Sequence, residues 1–247
     1  MSKKIALVTG GLGGLGSAIT AQLGRAGHTV IATYTSDNGR VEKWQGHLRE
    51  QGVESSYAVH CDVSDWASCQ AMAEEVRSEV GEVDIVVNNA GITKDSSFKK
   101  MPKESWDAVL RTNLDSVFNV TKQFADGMAE RGWGRIVNIA SVNGRKGQFG
   151  QTNYASSKAG MHGFTMSLAQ ELARKGVTVN TVSPGYLATS MVMGMKEEVR
   201  QQIIEQIPVK RLGEPEEIGS LVAYLASEDA GFITGANIDI NGGLHME

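Results

Sequence analysis

The chain has 247 residues, 41% hydrophobic and 21% charged, with a net charge of −4. These values fit a single α/β domain with a large core and exclude a global basic field for nucleic acid. Two cysteines, Cys61 and Cys69, are too few for a disulfide framework, and no apolar run reaches the ~20 residues of a membrane span. No metal is expected, and MSKKIALVTGG reads as a first strand rather than a leader, which gives the cytoplasm as the expected location.

Short β-branched runs alternate with helical patterns along the chain. Residues 4–10 (KIALVTG) predict a strand and 16–27 a helix; 29–34 (TVIATY) predict a second strand, followed by a polar helix near 38–51. A third strand is expected at 55–63, a helix at 65–80, a fourth strand at 83–91 and one long helix at 103–131. A fifth strand at 135–141, a helix at 152–175, a sixth strand at 177–185, a helix near 214–227 and a last strand at 236–242 complete the series. Near-continuous apolar strands alternating with amphipathic helices predict a doubly wound, seven-stranded parallel sheet, a single-domain Rossmann fold over residues 1–247 with helices on both faces. Residues 186–212, rich in Met, interrupt the alternation and are expected to form a small lid over a ligand.

TGGLGGLG, Thr9 to Gly16, links the first strand to the first helix. Glycines there let the backbone approach a pyrophosphate, and the helix N-terminus offers free N–H groups to it. The second strand ends IATYTSDNGR, with no acid until Asp37 to take a ribose hydroxyl. Arg40 is placed to pair with a 2′-phosphate, so the expected cofactor is NADPH.

Tyr154 and Lys158 stand four residues apart in YASSK and share a helical face. A phenol is protonated at neutral pH, and a neighbouring cation favours its ionised form. A shift of roughly 3 units, about 4 kcal/mol, is within reach of Lys158 plus a positive nicotinamide. Ser141, at the carboxyl edge of the fifth strand, can donate to a substrate oxygen. Asn113 falls inside the long helix, where asparagine is a mediocre former, and predicts a local kink with a water near Lys158.

Together TGGLGGLG, NNAG (Asn88–Gly91), Asn113, Ser141, YASSK and SPG (Ser183–Gly185) resemble the classical short-chain dehydrogenase/reductase family across nearly the whole chain. That resemblance implies Tyr154 as catalytic acid, Lys158 as its modifier and ribose binder, Ser141 as substrate orienter and Asn113 as support for a relay water. It implies cofactor contacts from Thr9, Gly10, Gly11, Leu12, Gly13, Gly14, Leu15 and Gly16. Asp62 and Val63 would lie near adenine, Asn89, Ala90 and Gly91 beside its ribose, and Pro184, Gly185 and Thr189 about the nicotinamide. A homotetramer is usual in the family.

Within it, NNAGITKD (88–95), GQFGQTNY (147–154) and GLHM (243–246) are similar to NADPH-dependent acetoacetyl-CoA reductases of polyhydroxybutyrate synthesis. The implied substrate is acetoacetyl-CoA or a similar short 3-oxoacyl-CoA. Gln148, Phe149, Gln151 and Tyr186 match positions lining the acyl end, with Phe149 and Tyr186 closing a small apolar pocket. Lys99, Lys100, Arg145 and Lys146 are candidate cations for coenzyme A phosphates. Related 3-oxoacyl-acyl-carrier-protein reductases give an alternative substrate. Nucleotide-sugar chemistry would require a separate sugar domain, and a non-catalytic NADPH sensor commonly loses the Tyr or Lys present here.

Overall fold

The computed structural model describes residues 3–246. Seven strands, β1 (Ile5–Val8), β2 (Thr29–Tyr34), β3 (Ser56–His60), β4 (Ile85–Asn88), β5 (Gly134–Ile139), β6 (Val177–Pro184) and β7 (Asn237–Ile240), form one sheet in the order 3-2-1-4-5-6-7. Every neighbouring pair is parallel. The order reverses between β1 and β4, and the carboxyl ends of strands beside such a switch point open a crevice for ligands.

The two-residue period of the strands divides the core. Ala6, Val8, Val30, Ala32, Ile85, Val87, Val137 and Ile139 face one helical layer. It comprises α1 (Gly14–Arg25), α2 (Arg40–Glu50) and α10 (Pro215–Leu225), which add Ile19, Leu23, Trp44, Leu48, Ile218 and Val222. Leu7, Ile31, Val86 and Ile136 face the other layer, with Met72 and Val76 of α3 (Trp66–Glu79) and Phe124 and Met128 of α5 (Ser116–Arg131). With apolar residues on both faces, the inner strands are covered twice, as a parallel sheet requires. The expected doubly wound architecture is therefore what forms, with element ends within a few residues of those read from the pattern.

One segment departs from expectation. The helix expected at 103–131 is three pieces: α4 (Lys103–Leu110), a π-helical turn (Arg111–Asp115) and α5. Residues 186–212 hold two helices, α8 (Ser190–Met193) and α9 (Glu197–Gln206), with a core of their own from Val192, Ile207 and Leu212. A parallel bridge from Leu187 to Gly213 ties the base of this segment together. The remaining helices are α6 (Asn143–Lys146) and α7 (Thr152–Leu172).

Among the described residues, no helix is long and apolar enough to cross a membrane, and no cluster of three or more His, Cys, Asp or Glu could hold a metal. Cys61 and Cys69 are buried free thiols with their sulfurs 3.9 Å apart.

Candidate active site

A cavity of about 610 Å³ opens at the carboxyl edge beside the switch point. Its wall includes Gly10, Leu12, Gly13, Gly14, Leu15 and Gly16 from the glycine loop, and Asp62, Val63, Asn89, Ala90, Gly91 and Thr189 from the later strand ends. Gly13 caps α1 without a side-chain hydrogen bond, so the first N–H groups of that helix are left to a ligand. A Cβ on Gly16 would lie 2.4 Å from Gly10 O, and the tight loop therefore exists only with glycine there. Gly10 has φ 62°, which favours glycine for a second reason. This glycine-built cradle at a helix N-terminus fits the pyrophosphate of a dinucleotide.

Two loop residues expected to contact the cofactor stand behind the cavity wall. Thr9 is buried; its hydroxyl accepts from Asn89 N and Ala90 N, both at 2.9 Å, and so braces β1 against the loop after β4. Gly11 is buried too, and a Cβ there would approach Ala32 Cβ to 2.5 Å, so this glycine serves packing against β2. At the other end of the cavity Thr33, Tyr34, Thr35 and Arg40 line the wall. Arg40 opens α2 and donates to Leu12 O at 3.2 Å, bridging the second-strand turn and the glycine loop. Thr33 is buried and accepts from Gly10 N at 3.1 Å, which ties the end of β2 to the glycine loop.

The candidate reacting groups converge from three elements. Tyr154 and Lys158 lie one turn apart on α7, and Ser141 stands two residues beyond β5. α6 can press against α7 because Gly144 has no side chain: a Cβ there would come within 2.9 Å of the Lys158 backbone. The Ser141 hydroxyl lies beside the Tyr154 phenol and lowers its pKa. Lys158 is 3% exposed and donates to Ile139 O at 2.7 Å. Asn113 is fully buried in the π turn; its amide donates to Ile92 O at 3.0 Å and Ser157 Oγ at 3.2 Å and accepts from Ile92 N at 2.8 Å. A Cβ on Gly91 would contact both Asn113 Oδ1 and Lys158 Nζ, which places those two groups on either side of one glycine. The expected kink at Asn113 is thus the π turn.

Electrostatics differ from expectation. Burial raises the Tyr154 pKa, the Ser141 hydroxyl lowers it, and Asp95 raises it further; the balance is upward. The spacing in YASSK predicts the opposite, a phenol depressed by Lys158. The Lys158 ammonium sits 5.7 Å from the Tyr154 ring centroid, is engaged by Ile139 O, and is itself pushed down to about 8 by burial. Desolvation is thus the largest influence on the Tyr154 phenol, ahead of Ser141 and Asp95.

The substrate wall is also rearranged. Phe149 is 88% exposed between Gly147 (φ 71°) and Gly150 (φ 81°), so it does not close an apolar pocket with Tyr186. Gln148 is exposed and accepts from Lys146 Nζ at 3.1 Å. Gln151 is held at both ends of its amide, by Asn143 at 2.9 Å and Asp95 at 2.8 Å, and its donor and acceptor are already engaged within the protein. Arg145 lies 3.9 Å from Asp239, an ion pair that draws it away from a phosphate role, whereas Lys99 and Lys100 are exposed on a 3-10 turn. Pro184 is buried at the end of β6, and Gly185 packs so closely on Asn241 that a Cβ would reach 2.8 Å of its Cα.

Asp95 and Asn143 carry no sequence signal of their own: an acid in a loop and an asparagine after a serine are common. A polar run as dense as SVNGRKGQFGQTN, crossing the carboxyl edge of a sheet, is the available clue.

A family model described as enoyl-(acyl carrier protein) reductase matches residues 10–245. The chain is 58% identical to an acetoacetyl-CoA reductase of Cupriavidus necator and 55% identical to nodulation protein G of Azospirillum brasilense, in each case over 100% of both chains. It is 45% identical to a 3-oxoacyl-[acyl-carrier-protein] reductase of Pseudomonas aeruginosa over 98% of both. With this coverage, and with a glycine cradle and a Ser–Tyr–Lys cluster on one sheet edge, the chain belongs to the short-chain dehydrogenase/reductase family of oxidoreductases.

Proposed function

We propose that the protein reduces acetoacetyl-CoA to (R)-3-hydroxybutyryl-CoA with NADPH, in polyhydroxybutyrate synthesis in the cytoplasm. The carrying observation is the Ser141 hydroxyl beside the Tyr154 phenol. Two donors side by side suit a carbonyl oxygen, whereas reduction of a carbon–carbon double bond would require proton delivery to carbon. The name of the 58%-identical relative supports the substrate.

In this reading Ser141 donates to the 3-keto oxygen and polarises it. Tyr154, held protonated by its raised pKa, gives its proton to that oxygen as negative charge develops there. Lys158 places a cation beneath the phenol, and its ammonium together with Asn113 keeps the floor of the site rigid. The glycine cradle and Arg40 would hold NADPH by its pyrophosphate and 2′-phosphate, and the bound cofactor would supply a hydride. Pro184, Gly185 and Thr189 would flank its nicotinamide end. Arg40 beside Tyr34 and Thr35, with no carboxylate at the end of β2, supports the phosphorylated cofactor.

A homotetramer completes the proposal. Phe118 of α5 and Met166 of α7 are 53% and 52% exposed, and Phe118 stacks on Trp66 at 5.9 Å. Apolar side chains of this size on helix surfaces suit subunit contacts. Light scattering would find a mass near four times 26.5 kDa; a monomer would remove this part.

The alternative substrate is a 3-oxoacyl chain on acyl-carrier protein, which the 45%-identical relative's name favours. NADPH oxidation measured with acetoacetyl-CoA, longer 3-oxoacyl-CoAs and carrier-protein thioesters separates the two. Acetoacetyl-CoA is expected to give the highest kcat/KM; a tenfold advantage for carrier-protein substrates would reverse the choice.

A further inference from the structure

Three polar side chains outside the reacting cluster form a chain with a fixed direction. An ionised carboxylate only accepts hydrogen bonds, so Asp95 takes the –NH2 end of Gln151, with Nε2 donating to Asp95 Oδ2 at 2.8 Å. That turns Gln151 Oε1 toward Asn143, whose Nδ2 donates to it at 2.9 Å. The Tyr186 phenol lies against Asn143: burial raises its pKa, and Asn143 offsets this in part. The Asn143 backbone N–H donates to Ser141 Oγ at 3.1 Å. What remains is Asn143 Oδ1, on a side chain of a residue only 7% exposed, with no donor among the described residues. A buried acceptor without a partner costs about 1–3 kcal/mol, which a ligand bringing a donor would recover.

We propose that Asp95 and Gln151 are positioning residues that fix the amide of Asn143, and that Asn143 Oδ1 is a substrate subsite accepting an amide N–H of the thioester arm. The assignment rests on the 3-oxoacyl thioester reading. In its keto form the acyl group itself has no N–H or O–H, and the nearest donors in such a substrate are the amides of the pantetheine arm. Asn143 lies next to the group that meets the keto oxygen in this reading, since its backbone N–H donates to Ser141 Oγ. The sign of Asp95 is therefore passed through two neutral amides to a position that selects among thioesters. A second tie, Ser96 N to Gly150 O at 2.8 Å, holds the loops bearing Asp95 and Gln151 together independently of the relay.

The test uses two small acetoacetyl thioesters, the N-acetylcysteamine ester with one amide N–H and the S-butyl ester with none. The wild-type protein is expected to favour the first by roughly tenfold in kcat/KM, the value of one hydrogen bond to a buried group. Asn143→Leu should bring the ratio near one. Asp95→Asn, at an exposed position, lets Gln151 flip; the ratio between the esters should fall to a few-fold through KM, and Asp95→Glu should restore it. An unchanged ratio in Asp95→Asn overturns the relay, and an unchanged ratio in Asn143→Leu overturns the subsite. A wild-type protein that turns over neither ester nor acetoacetyl-CoA removes the substrate reading and the subsite with it. Activity on acetoacetyl-CoA with no preference between the esters removes the subsite alone.

Discussion

Lys158 is 3% exposed and Asn113 fully buried, while Phe149, in the same stretch as Lys158, is 88% exposed. The groups proposed to move protons are fixed by the packing of α6 on α7 and by hydrogen bonds to β5 and from the π turn. The residues proposed to meet the acyl end stand on a loop with two glycines of positive φ. In that reading the core holds the proton chemistry in place, whereas the exposed rim is left for binding to organise. Rigid placement of reacting groups supplies much of a catalyst's advantage.

The sharpest break in that contrast is Tyr154→Phe. It removes the acid while leaving packing intact, and turnover should fall by about 10³-fold, within the ~10²–10⁴ range of general acid catalysis. NADPH binding, followed by fluorescence, should stay unchanged; unchanged turnover would take Tyr154 out of the mechanism.

Lys158→Met should also abolish most turnover, but it should stabilise the fold. Burial holds the lysine at about 8 instead of 10.5, a cost of about 3 kcal/mol when charged, against about 1 kcal/mol for its bond to Ile139 O. A net gain of about 2 kcal/mol at pH 7 is expected from denaturant melts, and a loss would show that the lysine braces the core. The same residue sets a pH dependence. Its folded pKa lies below the unfolded one, so the cost is full below pH 8 and fades between 8 and 10.5. Reduction should slow as pH rises through about 8, where the cation beside the phenol is lost, and Lys158→Arg should move that limb upward.

Arg40→Ala tests the cofactor side of the comparison. A charge-assisted contact to a 2′-phosphate is worth roughly tenfold or more in affinity. The KM for NADPH should rise by that factor with NADH unaffected; equal changes would make Arg40 a prop for Leu12 only. The smallest effect belongs to Phe149→Ala, with no change in melting temperature, because the ring is exposed, and a KM for acetoacetyl-CoA raised by roughly threefold or less, since little apolar area is at stake.

The sheet is legible in the sequence because period-two and period-3.6 patterns report burial directly, and the strand TVIATY is read to the residue. The glycine loop and the Tyr154–Lys158 pair are legible because their chemistry tolerates few alternatives. The break in the helix at 103–131 is hidden because a π turn keeps apolar spacing nearly intact on both sides. The effect of Lys158 on Tyr154 is hidden too, because a sequence gives the sign of a charge but not the depth of its burial. Gln151 looks like a substrate contact because Asp95 and Asn143, its actual partners, lie on other segments of the chain.

The π turn at Arg111–Asp115 has a consequence for how this chain can change in length. It amounts to one residue added to a continuous helix, which rotates the downstream half by about 100°. α4 packs on α7 and α5 packs on α3 and β4, so the two halves keep separate phases. Deleting any single residue from 111–115 would fuse them into one regular helix and swing Val117, Val120, Phe124 and Met128 away from the sheet. Insertions and deletions should therefore be tolerated at the glycines of 147–150 and rejected here, although many individual side chains on these helices face solvent.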